Sequence, residues 1–376
     1  MKKFLALALA LCMIFALCAC GQKAAPAEEA APAAEEAAPA EAAAPAAAEM
    51  KKIAIVIVSG DHGFTGESVK HAEMEAEALA EKYAGQLEVV VKSQGEASDQ
   101  ISEIENILAM GDVDAIMLWP TEGEALRSAA QSVVDAGIPL IVYDRLISDP
   151  VIDGVNAQIM GDNFFIGGEM GKYLNDFYAD YEDVQYLRFV GDASTVTSQR
   201  SGGMDEVLDA KFEQVNETFV TDWSSEKAQE QFENWLAGKS DEEIEALDLI
   251  VTHDDEIVNG LMNALDAYTG SADLSGIKLI TSVGGIDATC QKFEDTKLPV
   301  QFATWFFAPS FIREAVDYTA ELALGEEFSG TAVYDEATDC YLIPSFSISN
   351  AGNAKYDFDQ YRASEEHAVR YSIGDF

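Results

Sequence analysis

From Lys52 onward, short runs rich in β-branched residues alternate with amphipathic segments of helical length, and the runs are apolar throughout rather than at every second position. A strand apolar on both faces must be covered on both faces, and helical crossovers between such strands produce a parallel sheet. Strands are expected at Ile53 to Val58, Leu87 to Lys92, Ala115 to Leu118 and Leu140 to Tyr143, with helices at Gly66 to Tyr83, Ser98 to Met110 and Glu122 to Asp135. The pattern restarts after Asp162-Asn163. A helix to about Phe177 leads into strands at Val184 to Val190, Glu213 to Val220, Leu247 to Val251, Ile277 to Thr281 and Val300 to Ala303. Helices are expected near Ser198 to Ala210 and at Ser225 to Leu236, Asp255 to Ala267 and Pro309 to Leu324. The fold class is therefore α/β, with two doubly wound, Rossmann-like lobes.

The chain's 376 residues support two units, because one hydrophobic core stops growing near roughly 250 to 300 residues. With 48% hydrophobic and 24% charged residues, it is a globular composition and not a disordered one. Acidic residues outnumber basic ones 67 to 23, for a formal net charge of −44. Nucleic-acid binding is excluded on that balance, since phosphate contacts need a basic stripe. The surplus reads as a solvated surface that resists aggregation.

Lys2 and Lys3 precede an apolar run from Phe4 to Ala19, too short for a permanent bilayer helix of about 20 residues. Residues 1–20 are read as an export signal. The run closes on Leu17-Cys18-Ala19-Cys20-Gly21, which resembles a bacterial lipobox and makes Cys20 the expected lipidated N-terminus. Residues 21–50 are an Ala/Pro/Glu linker in which Pro26, Pro32, Pro39 and Pro45 break any helix, giving a semi-extended tether. Of the remaining cysteines, Cys290 and Cys340 have no metal-like spacing and are read as separate thiols before a bridge.

In open α/β sheets ligands bind beyond the carboxyl ends of the strands, so two facing units place a cleft between those edges. The residues there are polar and aromatic: His62 and Phe64 after the first strand, Trp119 after the third, Asp144 and Arg145 after the fourth. The second unit supplies Asp192, Trp223, Asp254, Asp287 and Phe307 at matching places. Rings that stack on apolar C–H faces, with carboxylates and guanidiniums that accept from and donate to hydroxyls, suit a neutral polyhydroxylated ligand. Zinc H-E-x-x-H, nucleophile-elbow, phosphate-loop and EF-hand patterns are absent from the sequence, and the histidines show no metal-ligand spacing. Neither an enzyme nor a cofactor is expected. Trp235 and Trp305 are read as packing, and His253 as a structural neighbour of Asp254.

Over about residues 51 to 350 the chain resembles the type I periplasmic sugar-binding proteins, the ribose-, galactose- and xylose-binding family that supplies ABC importers. The carrying segments are Leu118-Trp119-Pro120-Thr121 with Ala136-Gly137-Ile138-Pro139, Tyr143-Asp144-Arg145, Gly161-Asp162-Asn163 with Gly167, Gln199-Arg200-Ser201-Gly202-Gly203, and His253-Asp254-Asp255-Glu256 with Gly260. The resemblance implies that Asp144 and Arg145 grip ring hydroxyls, that Arg200 contacts the sugar from a second-lobe helix, that Trp223 stacks on it, and that Asp254 reads a hydroxyl. Trp119 stands where ribose-type members carry Asn, and the carboxylate of Asp287 comes one position late.

It further implies an N-terminal lobe of residues 51–161 plus 308–343 and a C-terminal lobe of 162–307 plus 344–376. A hinge would cross near Asp162, Phe307 to Ala308 and Ile343 to Ser345. The expected protein is a monomeric, extracytoplasmic lipoprotein that closes on a pentose or hexose and presents it to an ABC permease and its ATPase. A sensory module for a chemoreceptor or histidine kinase, and a nucleoside or autoinducer-2 binder of the same fold, are the alternatives.

Overall fold

The computed structural model describes residues 50–60, 63–147 and 152–372. The export signal, Cys20, nearly all of the linker and His62 lie outside the described residues. The first stretch runs β1 (Lys51–Val58), α1 (Gly63–Lys82), β2 (Leu87–Gln94), α2 (Ala97–Met110), β3 (Ala115–Leu118), α3 (Gly123–Asp135), β4 (Leu140–Tyr143) and β5 (Ala157–Gly161). A second series follows: α4 (Asn163–Phe177), β6 (Val184–Val190), α5 (Thr195–Val207), β7 (Phe212–Gln214), β8 (Phe219–Val220), α6 (Ser225–Gly238), α7 (Asp241–Glu245) and β9 (Leu249–Thr252). It continues with α8 (Asp255–Ala267), β10 (Leu279–Gly284), α9 (Asp287–Asp295) and β11 (Gln301–Phe306). The chain ends in α10 (Ile312–Leu324), β12 (Val333–Asp335), β13 (Cys340–Ile343), β14 (Ser347–Ser349), α11 (Phe358–Arg362) and α12 (Glu365–Arg370).

Two sheets result, ordered β12-β13-β5-β4-β3-β1-β2 and β14-β11-β10-β9-β6-β7, with β8 beside β6. All pairings are parallel except β12 with β13 and β11 with β14. The continuous apolar runs explain this. Ile53, Ile55 and Ile57 of β1 enter one core while Ala54 and Val56 enter another with Ile116, Leu118 and Val142, so both faces of the strand are dry. Each buried Ile, Leu or Val among them stabilises the fold by about 1.5–3 kcal/mol relative to exposure.

The chain passes between the sheets after β5, where Asp162 caps α4 by accepting from the Phe165 N–H at 3.0 Å. It returns after β11, since α10 packs on α1 and on β1, β3 and β4. It leaves again between β13 and β14. The two α/β lobes are thus joined by three chain crossings.

Several elements differ from the sequence reading. The strand expected at Glu213 to Val220 is two short pieces, because the Asn216 side chain takes the Arg188 N–H at 3.1 Å and donates to the Glu217 carbonyl at 2.7 Å. An Asn that bonds nearby backbone in this way favours a turn over a ladder. The segment from Pro309 opens as one 3₁₀ turn to Phe311 before α10 begins. Cys290 and Cys340 are buried free thiols.

The end of the described chain is tied to both lobes. Arg370, 2% exposed, donates to the carbonyls of Gly284 and Phe307 at 3.1 and 3.2 Å and lies 3.7 Å from Glu67 of α1. His71 of α1 joins the Arg370 carbonyl at 3.1 Å through Nε2, and its Nδ1 accepts from Arg313 Nε at 3.0 Å. With Nδ1 an acceptor, the ring is neutral and Nε2 is the donor. Burial, then the Arg313 charge, push His71 down to about 4. Below an unfolded value near 6.5 the unfolded chain gains a proton that the folded chain refuses until about pH 4. Stability supplied by neutral His71 is therefore present above pH 6.5 and is lost as the pH falls from about 6.5 to about 4, by roughly 1–3 kcal/mol. Denaturant melts across that window are expected to show a shallower decline for His71→Gln than for the parent chain. Equal slopes would contradict this account.

Candidate binding cleft

A cavity of about 800 Å³ opens at the carboxyl ends of the strands of both sheets. The first sheet contributes Phe64, Trp119, Asp144 and Arg145; the second contributes Arg200, Trp223, Asp254 and Phe307. Eight of the ten residues expected to contact a ligand therefore line one space. His62 lies outside the described residues. Asp287 is elsewhere: it is not among the lining residues, and its carboxylate accepts from Arg362 Nε of α11 at 2.6 Å. The reading of Asp287 as a ligand contact is corrected accordingly, because a cation from the far end of the chain has taken its carboxylate.

Asp144 follows β4 in the left-handed region, with φ 64°. A short polar residue tolerates that conformation better than most. Its N–H donates to the Ile159 carbonyl at 2.9 Å, and its Oδ2 accepts from the Trp119 indole at 3.2 Å. Trp119 itself is 1% exposed, edge-on to Tyr143 at 5.4 Å and to Phe64 at 6.1 Å. It therefore orients Asp144 and walls the cleft, and it does not present an open stacking face. Burial pushes the Asp144 carboxyl up, against the pull of Arg145 and Arg200.

Two glycines let aromatic rings reach the strand ends. A Cβ on Gly191 would sit 2.1 Å from the Trp223 ring, and one on Gly161 would sit 2.1 Å from the Phe307 ring. Both rings lie directly on bare backbone. Trp223 adopts φ 61°, a strained conformation for a bulky residue that persists only where the surroundings enforce it. Phe307 faces Phe64 at 5.5 Å, and the Arg200 guanidinium lies 4.7 Å from the Phe307 centroid.

Arg200 is 3% exposed, donating through Nε to Asn163 at 2.9 Å and through Nη1 to the His253 carbonyl. Burial lowers it to about 10, partly offset by Asp254 and Asp144, so it remains a cation at neutral pH. His253 is pushed well down by burial and by Arg200; its ring is neutral, and its backbone carbonyl accepts from the arginine. Arg145 donates to the Thr121 carbonyl and lies 3.5 Å from Asp192, linking the two sides of the cleft. Asp254 caps α8 by accepting from the Glu256 N–H at 2.7 Å. Burial, then the neighbouring Asp255 charge, raise it to about 7. Asp255, fully buried, is occupied by the Ile286 N–H at 2.7 Å and the Thr304 hydroxyl at 2.9 Å.

Asp192, read at its strand end but not counted among the ten expected ligand contacts, lines the cavity, as do Thr121, Glu256 and the rim glutamates Glu96, Glu122 and Glu226, which the sequence reading did not select. Asp192 follows β6 as Asp144 follows β4, so the strand-end rule contains the signal. It lies below the ordinary carboxylate range: burial is outweighed by Ser194, the Trp223 indole and Arg145. Among the described residues no cluster of metal-ligating side chains occurs, and no helix is long and apolar enough to cross a membrane.

A profile of the periplasmic binding protein domain matches residues 53–327. The ribose import binding protein of Bacillus subtilis is 28% identical over 50% of this chain and 57% of its own length. A D-xylose-binding periplasmic protein of Escherichia coli is 29% identical over 51% of this chain and 60% of its own length. The chain thus spans about three-fifths of these relatives. Among solved structures, a galactofuranose-binding protein shares the fold with a TM-score of 0.66 at 18% identity, over 86% of this chain and 100% of the other. The paired doubly wound sheets, the cleft at their strand ends and the match over residues 53–327 together place this chain in the periplasmic binding protein family, with the type I two-lobed architecture.

Proposed function

We propose that this chain is an extracytoplasmic solute-binding lipoprotein that captures a monosaccharide, a pentose or hexose, by hinge closure and delivers it to an ABC permease and its ATPase. One observation carries the reading: a buried carboxylate, Asp144, and a buried guanidinium, Arg200, one from each sheet, meet the half-buried Arg145, Asp192 and Asp254 in one cavity walled by Phe64, Trp223 and Phe307. Sugar hydroxyls both donate and accept, so they can satisfy Asp144, Asp254, Arg145 and Arg200 while the C–H faces pack on the rings. Ribose and xylose are named for the curated relatives, and this supports a sugar of that size. The match to the lipobox at Cys20 supports anchoring, and the acidic Pro-broken linker supports a tether.

Closure needs a ligand that holds one arrangement better than the other. Bonds made from both sheets supply that difference, and the chain crossings at residues 161–163, 306–309 and 343–347 allow the lobes, 51–161 plus 308–343 and 162–307 plus 344–376, to rotate as bodies.

A thermal-shift screen of the purified chain against pentoses, hexoses and nucleosides is expected to show a rise with a small set of monosaccharides, worth about 2.7 kcal/mol at a hundredfold excess over Kd. Arg200→Ala is expected to weaken that sugar at least tenfold to a hundredfold, as loss of a charge-assisted hydrogen bond does. A shift with nucleosides alone would replace the ligand class. Gly191→Ala tests the aromatic wall separately. Its methyl displaces the Trp223 ring, and calorimetric titration is expected to show weaker sugar binding with a stability loss of about 1–3 kcal/mol. Unchanged affinity would remove Trp223 from the site.

A further inference from the structure

The cleft is unbalanced in charge, and this bears on which sugar it takes. Asp144, Asp192 and Asp254 line its interior, and Glu96, Glu122, Glu226 and Glu256 line its mouth from both sheets. Against these seven acids, of which Asp254 is only partly ionised at neutral pH, stand two guanidiniums, Arg145 and Arg200, with no lysine among the described lining residues. Part of each guanidinium is taken by the protein, Arg145 by the Thr121 carbonyl and Asp192, Arg200 by Asn163 and the His253 carbonyl, which leaves each some N–H donors for a ligand. The acceptors are less engaged. Asp144, 5% exposed, takes one donor, the Trp119 indole on Oδ2, and Asp254 takes the Glu256 N–H on Oδ1. One oxygen of each is left for a ligand among the described residues.

The partial positive charge at a helix start offsets some of this, but α6 and α8 carry their own acids, Glu226 and Glu256, in the first turn. A cleft lined by one sign between low-dielectric walls focuses its field, so the potential inside exceeds that over a flat surface of equal charge. An anionic sugar meets uncompensated carboxylates on entry. An ammonium group brings three donors and a full positive charge to oxygens that lack partners.

We propose that the site selects a cationic amino sugar, whose ammonium is held between Asp144 and Asp254, over its neutral and acidic counterparts. The inference rests on the sugar-binding reading given above. It is tested with sets that differ in one charge: galactosamine, galactose and galacturonate, and glucosamine, glucose and glucuronate, titrated calorimetrically into the purified chain at pH 7 and low salt. In at least one set the amine is expected to bind about tenfold tighter than the neutral sugar, and the acid more weakly than either. Raising the ionic strength to about 0.5 M is expected to narrow the ratio, as screening of the mouth requires. Asp254→Asn, and separately the exposed Glu226→Gln, are expected to lower the ratio of amine to neutral affinity, with ligand-free melts confirming folding.

Neutral sugars that bind as tightly as their amines in both sets, or neutral pentoses that bind when all six probes fail, would overturn this inference and leave the sugar reading standing. An amine preference untouched by both variants would also overturn it. Failure of all six probes and of neutral pentoses would overturn the sugar reading, and the amine proposal with it.

Discussion

A parallel strand buried on both faces has little place for polar side chains along its length, so most of them collect beyond its carboxyl end. This constraint organises the molecule. The runs of β1, β3, β4 and β9 are mostly apolar and buried, the hydroxyls of Thr281 and Ser282 in β10 are buried with them, and the charged residues gather where the strands end. Because both sheets obey the rule, their polar edges face one cavity, and no separate device is needed to build a site.

Burying charge at those edges is costly unless the charges answer each other. Arg200 is nearly inaccessible, and it is retained because Asn163 and the His253 carbonyl take its donors while Asp144 and Asp254 supply opposite charge. The carboxylates show the residual cost as upward pressure on Asp144, and on Asp254 to about 7. Asp192 escapes it through hydrogen bonds and Arg145. A site in this condition is held in shape by its own ion pairs, yet two of its acids stay under-satisfied, which is the state that rewards a donating ligand.

The sheets and most of the helices are legible in the sequence because long apolar periodicity is a local property. β5 is not. Its residues, Ala157–Gly161, include a buried Gln158 and few β-branched positions, and only the neighbours β4 and β13 make it a strand. The short pieces β12 to β14, α11 and α12 are likewise set by contacts distant in sequence, such as Arg370 on Gly284 and Phe307. Asp144, Arg145, Arg200, Trp223 and Asp254 were readable from strand-end position and family spacing, and they line the cavity. Asp287 satisfies the same positional rule but is claimed by Arg362 across 75 positions, a partner that no local spacing reveals. Trp119 shows the reverse limit. Its position was readable, but its duty toward Asp144 depends on the rings of Phe64 and Tyr143 that hold it edge-on.

Magnitudes decide how such a molecule would respond to a ligand. Arg145 and Asp192 already reach across the cleft, but at 3.5 Å and with side chains 20% and 26% exposed their pairing is worth no more than about 1 kcal/mol. That is too little to lock two lobes. Each charge-assisted bond to a ligand contributes about 1.5–3 kcal/mol, so two or three made from both sheets outweigh the resident pair. The tie made by Arg370 works differently. It joins the Phe307 carbonyl, at a crossing, to Glu67 on the helix that also carries Phe64, so two walls of the cavity keep a fixed relation. Its bond to the Gly284 carbonyl at the end of β10 brings the second sheet into the same tie, so the Phe64–Phe307 contact and the end of that sheet share one buried cation.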